Sequence, residues 1–100
     1  MRIAGFDWDQ ANWPKCGKHG ATQADIEFVL SGRPDIYPDT AHSRTEQRFL
    51  AIGQTTTGRH LLIAFTVRHQ RIRPISARFM HAKEVRHYEH AQKNPAPDDR

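Results

Sequence analysis

Leu61-Leu62-Ile63-Ala64-Phe65 is the most apolar run in the chain, and nothing else constrains the fold as strongly. A nearly continuous run of this kind is what a central strand covered on both faces requires. Turn signals bound the longer segment His60 to Arg68 on each side: Thr55 to Gly58 before it and His69-Gln70 after it. Arg48 to Gln54 and Ile72 to Phe79 then read as its neighbours in an antiparallel meander. Pro74 lies inside the last of these strands and has no amide to give to a ladder, which places it at an edge or a bulge.

The flanks supply helices. Residues 2–8 predict a short strand carrying Ile3, Phe6 and Trp8, with Trp8 read as core or as a base-stacking ring. Asp9 to Lys18 predicts a short helix with Pro14 in its first turn, closed by a left-handed Gly20 so that Lys18 and His19 sit at its negative end. Thr22 with Asp25 three positions on predicts an N-terminal cap. Ile26, Val29 and Leu30 make the apolar face of the helix that follows, and Gly32 and Pro34 end it. Residues 34–45 read as loop with a short extended piece at Ile36-Tyr37. From Met80 to Lys93, Ala82, Val85, Tyr88 and Ala91 recur at three-residue steps, and residues 94–100 predict a disordered tail. One hundred residues support one core, so the expectation is a single α+β domain over residues 1–93.

Charge narrows the function. Residues 1–46 carry five Lys/Arg against seven Asp/Glu, while residues 47–100 carry ten against four. A basic excess confined to the second half points to a polyanion, nucleic acid first, or to an acidic protein; the alternative is a solvated basic face. Cys16 is the only cysteine, which excludes an intramolecular disulfide and a cysteine zinc cluster and fits a reducing cytoplasm. The first nine residues show no signal-peptide pattern, and no apolar stretch approaches membrane-spanning length. Among the seven histidines only His87 and His90 have helical spacing, without a carboxylate-rich motif around them, so neither a metal nor a cofactor is expected.

Several short strings carry a resemblance. Phe6-Asp7-Trp8-Asp9, Asn12 and Lys18-His19-Gly20 open it, followed by Pro38-Asp39, His42-Ser43, Glu46, Arg48-Phe49 and Ile52-Gly53. Arg73-Pro74-Ile75-Ser76-Ala77-Arg78-Phe79-Met80-His81-Ala82-Lys83-Glu84 and Tyr88-Glu89 close it. Over roughly residues 5–89 the chain resembles the BrnT family of type II toxin–antitoxin toxins. The resemblance implies a RelE-like fold, with N-terminal helices on a bent antiparallel sheet and a C-terminal helix. It also implies a metal-independent ribonuclease that blocks translation. The implied partners are RNA and a ribbon-helix-helix antitoxin, with operator DNA reached only through the antitoxin. A second reading keeps the fold as a non-catalytic module of a DNA-binding repressor complex, and a third is a basic protein-interaction domain.

Metal-free RNA cleavage needs a proton taken from the 2′-OH, charge stabilised on the phosphorane, and a proton given to the leaving oxygen. Arg68 and Arg78 match arginines of the family and are candidates for the phosphate. The alternatives are an ion pair to Glu84 for Arg78 and a plain hairpin-end cation for Arg68. His19 is the proton-transfer candidate by chemistry, or a helix-end cation together with Lys18. Glu46, Glu84 and Tyr88 are further proton-transfer candidates, and Lys18, Arg48, Arg71 and Arg73 are candidates for RNA binding. A two-residue turn at His69-Gln70 sets Arg68 opposite Arg71 and Arg78 opposite Leu61, which puts Arg68 and Arg78 on opposite faces. A three-residue loop puts them on the same face. In both cases one compact pocket holds the two only if the sheet bends sharply; otherwise Arg68 groups with Arg71 and Arg73.

Overall fold

A computed structural model of the chain describes residues 4–93. Helix α1 (Gln23–Ser31) precedes four strands, β1 (Asp35–Pro38), β2 (Arg48–Gln54), β3 (His60–Arg68) and β4 (Arg71–Phe79), and helix α2 (Ala82–Lys93) closes the order. The strands pair antiparallel in sequence order, β1-β2-β3-β4. The tail expected over 94–100 and the start of the strand expected over 2–8 lie outside the described residues.

Helix α1 begins as its sequence requires. The Thr22 hydroxyl accepts from the Asp25 amide at 3.0 Å while the Asp25 carboxylate accepts from the Thr22 amide at 3.1 Å, which satisfies two of the amides a helix start leaves open. Ile26, Val29 and Leu30 then face the sheet, where Ala51, Leu61, Ile63, Phe65, Ile72 and Ala77 complete the core with Cys16 and Ala21. Gly53 lies so close to Val29 that a Cβ there would come within 2.8 Å of a Val29 methyl, so the sheet meets the helix on bare backbone.

The N-terminal part differs from expectation. Among the described residues one α-helix, not several, precedes the sheet. Asp9 to Lys18 forms turns and a three-residue 3₁₀ segment, Lys15–Gly17. Asp9 accepts from the Ala11 amide and Asn12 accepts from the Asp9 amide, both at 2.8 Å, and such local side-chain bonds compete with helix. Pro14 removes a further donor. Gly20 has the expected positive φ, +100°, but it closes a 3₁₀ turn that is too short to build a dipole at Lys18 and His19. The expected first strand reduces to a single parallel bridge from Phe6 to Ile72. Trp8 is partly buried: it packs against the core, meets Trp13 edge-on, and donates its indole N–H to Glu27 at 2.8 Å.

The β3–β4 ladder holds the main surprise. Arg68 pairs with Arg71 across a two-residue turn, as the sequence predicts. Phe65 then pairs with Pro74 but Ala64 pairs with Ser76, so Ile75 is an extra residue without a partner. This bulge shifts Arg78 from the expected Leu61 to Leu62. Cross-strand partners share a face, and Leu62 and Arg68 are an even number of residues apart on β3, so Arg68 and Arg78 fall on the same face. The bulge has done what a longer loop would have done. The face away from α1 thus carries Asp35, Tyr37, Arg48, Leu50, Ile52, Leu62, Ala64, Thr66, Arg68, Arg71, Arg73, Ser76 and Arg78 by ladder count.

The turn itself is strained. His69 and Gln70 have φ of 52° and 65°, the left-handed pair that a two-residue hairpin needs and that Asn-Gly adopts at little cost. Replacing His69-Gln70 by Asn-Gly is expected to raise stability by about 1–2 kcal/mol. An unchanged or lower urea midpoint would contradict this reading of the turn.

Candidate functional site

The open face of the sheet has two ends of opposite character. At one end Arg48 and Arg73 both pair with Thr66, from β2 and β4 respectively, and Arg68 pairs with Arg71 in the flanking row. With strands spaced about 4.8 Å apart, four arginines from three strands fall within two adjacent rows. The structure therefore brings together Arg48, Arg68, Arg71 and Arg73. Arg78 stands six β3 positions away from Arg68, roughly 20 Å along the strand.

Two of these arginines are held in forks by carboxylates. Arg68 donates to Glu46 through Nε at 2.5 Å and Nη2 at 2.9 Å. Arg73, almost buried, donates to Asp9 at 2.9 and 3.0 Å and lies 3.5 Å from Asp7. Paired N–H donors of this kind fix a guanidinium in direction as well as position. The Arg68 fork, helped by the fields of Arg48 and Arg73, holds the Glu46 carboxyl below the usual carboxylate range. Arg73, with the Ala11 amide, does the same for Asp9. Both carboxylates are consequently charged and weak as bases.

The segment between β1 and β2 borders this patch. A 3₁₀ turn, Thr40–His42, leads into a loop that Ser43 ties shut: its hydroxyl donates to the Asp39 carbonyl at 2.7 Å and accepts from the Arg48 amide at 2.9 Å. The Asp39 amide donates to the Arg48 carbonyl at 2.9 Å. On this clasp the His42 Nδ1 lies 3.0 and 3.1 Å from the two Asp39 carboxylate oxygens. Ala41, His42, Arg44, Thr45, Glu46 and Arg48 line one surface pocket of about 400 Å³. Sequence reasoning quoted His42 and Asp39 but gave them no role. The signal available was their i, i+3 spacing beside Glu46 and Arg48.

The other end of the face is covered by α2, none of whose residues is buried. Arg78 donates to both Glu84 oxygens at 2.8 Å, and Glu84 also accepts from the His81 amide at 2.9 Å, where α2 begins. Tyr88 donates to Asp35 and meets His60 edge to face. Burial and the Asp35 carboxylate push the Tyr88 hydroxyl well above the usual phenol range. An apolar groove of about 760 Å³ runs between helix and sheet, lined by Tyr37, Leu50, Ile52, Leu62 and Met80 among others. Lys18 and His19 lead into Gly20, whose backbone lies beside Phe79, the last residue of β4; Phe79 pairs with Leu61 and packs on the α1 core, so this segment belongs to the opposite side of the sheet from Arg78. The expected site residues thus divide: Arg48, Arg68, Arg71 and Arg73 at one end of the open face, Arg78, Glu84 and Tyr88 at the other, and Lys18 and His19 on the core side of the sheet with neither group.

An α+β domain that offers an open sheet face with two rows of arginine beside an exposed histidine is a protein suited to handling a polyanion. Residues 8–84 match the family model of the ribonuclease toxin BrnT of type II toxin–antitoxin systems, and the chain belongs to that family. Membership implies an RNA target and an antitoxin partner. No curated protein matches the chain. Among the described residues no helix is long and apolar enough to cross a membrane.

The fork on Glu84, with the His81 amide, lowers its pKa from 4.5 to about 2. A depressed carboxyl pKa contributes stability that is complete above the unfolded value and lost as pH falls through the folded one. The anchorage of α2 is therefore expected to hold above about pH 4.5 and to loosen toward pH 2. A carboxyl resonance of Glu84 titrating near 4.5 in an NMR series would contradict it, as would α2 amide exchange unchanged in Glu84→Gln at neutral pH.

Proposed function

We propose that the chain is a metal-independent endoribonuclease whose substrate phosphates dock on the arginine rows formed by Arg48, Arg68, Arg71 and Arg73, touching Arg48, Arg68 and Arg71 directly while Arg73, nearly buried on Asp9, adds its field from beneath. The observation that carries this reading is the convergence of those four residues on the end of the sheet face that α2 leaves uncovered. A guanidinium aimed by a carboxylate fork matches two phosphate oxygens at once, and several such groups stabilise phosphorane charge without a metal. The strongly basic second half of the chain supports RNA as the polyanion.

In this reading Arg78 and Glu84 fasten α2, and Tyr88 fastens it to β1 through Asp35. Glu84 is too weak a base, and the Tyr88 hydroxyl too firmly protonated, for proton transfer near neutral pH. Lys18 and His19 act as outlying cations. Cleavage blocks translation in the cytoplasm. A ribbon-helix-helix antitoxin neutralises the protein by covering the basic face, and it carries the complex to operator DNA.

The test is incubation of the purified protein with single-stranded RNA in excess EDTA, beside induction in cells lacking the antitoxin. Cleavage and growth arrest are expected; intact RNA together with normal growth would sink the reading and leave a non-catalytic binding module.

A second measurement localises the contact. Arg48→Ala with Arg68→Ala is expected to weaken RNA binding and to lower the slope of log affinity against log salt by about 1–2, one released counterion per lost phosphate contact. Arg78→Ala is expected to leave that slope unchanged. The opposite pattern would move the RNA to the α2 end.

A further inference from the structure

The pocket between Asp39 and Arg48 has the parts of a proton-transfer site. A carboxylate only accepts, so the His42 nitrogen facing Asp39 carries the hydrogen, and the ring's other nitrogen, Nε2, is left as an acceptor when the imidazole is neutral. The His42 side chain is 65% exposed while that of Asp39 is 13% exposed. The carboxylate is withdrawn into the loop clasp and the ring is offered to solvent. Around the pocket stand the cations a phosphate needs: Arg44 and Arg48 in its lining, and Arg68 forked on Glu46, which also lines it.

From this geometry we infer that His42 is the general base of the ribonuclease and that Asp39 is its positioning residue; the inference rests on the ribonuclease reading above. Nε2 takes the proton of a substrate 2′-OH, and the 2′-oxygen forms a bond to phosphorus. The bond from phosphorus to the 5′-oxygen breaks, and solvent water gives that oxygen its proton. The products are a 2′,3′-cyclic phosphate and a 5′-hydroxyl, with no oxidant, metal or further reactant required. Glu46 directs Arg68 at the phosphate and remains charged throughout.

The experiment uses the full-length protein and a labelled single-stranded RNA, prepared in two forms: the natural one, and one with sulfur in place of the bridging 5′-oxygen at the cleaved position. His42→Ala is expected to lower the cleavage rate by about 10²–10⁴-fold with RNA affinity and circular dichroism unchanged. Sulfur leaves without needing a proton, so a lost base keeps its deficit on the sulfur substrate whereas a lost acid does not. An undiminished deficit supports the base assignment. Recovery on the sulfur substrate would overturn it by making His42 the acid, and cleavage at the parent rate on both forms would remove His42 from the chemistry. Wild-type protein that leaves both RNAs intact would instead refute the ribonuclease reading itself. For Asp39, Asn in its place can turn its amide toward the ring and reverse the tautomer. Asp39→Asn is therefore expected to lower kcat with KM unchanged and to move the ring proton to Nε2 in ¹⁵N spectra of His42. An unmoved tautomer with parental kcat would overturn the positioning role.

Discussion

Pro74 has no amide hydrogen, and the open face of this sheet is arranged around that absence. A regular ladder would ask it for a donor. Instead the chain inserts Ile75 beside it without a partner, while the Pro74 carbonyl accepts from the Asn12 side chain at 2.9 Å and so binds the N-terminal turns to the sheet edge. The inserted residue reverses the alternation of everything that follows on β4. Without it, Arg78 would point into the α1 core, where a guanidinium has no partner, and Ala77 would leave that core. With it, Ala77 is buried and Arg78 reaches Glu84 at the start of α2. The helix attachment at one end and the arginine rows at the other both depend on this one local defect.

Three arginines on this face are met by carboxylates in the same bidentate way, yet the pairs differ in consequence. The Arg73 guanidinium is nearly withdrawn from solvent, so its Asp9 partner offsets a desolvation cost and belongs to the edge closure around Pro74. Arg78 and Glu84 are each about four-tenths exposed and hold a helix end. Arg68 is the most exposed of the three, and its partner Glu46 comes from the loop that also carries His42. A phosphate can displace or share that fork without uncovering a buried charge. Among the described residues, no carboxylate is hydrogen-bonded or salt-bridged to Arg71, in the same row, or to Arg48, in the next.

Much of the architecture was legible because each signal was local. The limits of β2 and β3 follow from the turn residues around the Leu61–Phe65 run, and the α1 cap follows from Thr22 and Asp25. The extra residue at Ile75 was not legible: Pro74 announces an edge or a bulge, but which neighbour is left unpaired depends on packing against α1 and on Asn12, sixty-two residues away. The short helix expected over Asp9 to Lys18 failed for a related reason, since Asp9 and Asn12 spend their side chains on backbone amides and on the sheet edge. The site divided in the same way. Arg68, Arg71 and Arg73 were grouped correctly by strand register, whereas Arg48 joined them through a pairing between β2 and β3 that composition cannot specify. His42 gained its orientation from a loop whose closure by Ser43 leaves only a faint trace in the sequence.

The two ends of the open face then impose different demands on anything that binds there. Next to α2 the sheet offers Leu50, Ile52, Leu62 and Met80, a surface that discriminates by shape and gains from excluding water. One to three rows away it offers guanidinium groups whose attraction reaches about one Debye length, near 8 Å at physiological salt, and whose forks fix the approach of a planar anion. A polynucleotide backbone satisfies the second demand and not the first, because phosphate and ribose gain little from an apolar trough. Nucleic acid is therefore expected to lie across the rows of β2, β3 and β4 at their Arg48, Arg68 and Arg71 ends, where the Asp39–His42 pair stands at the rim and α2 does not intrude.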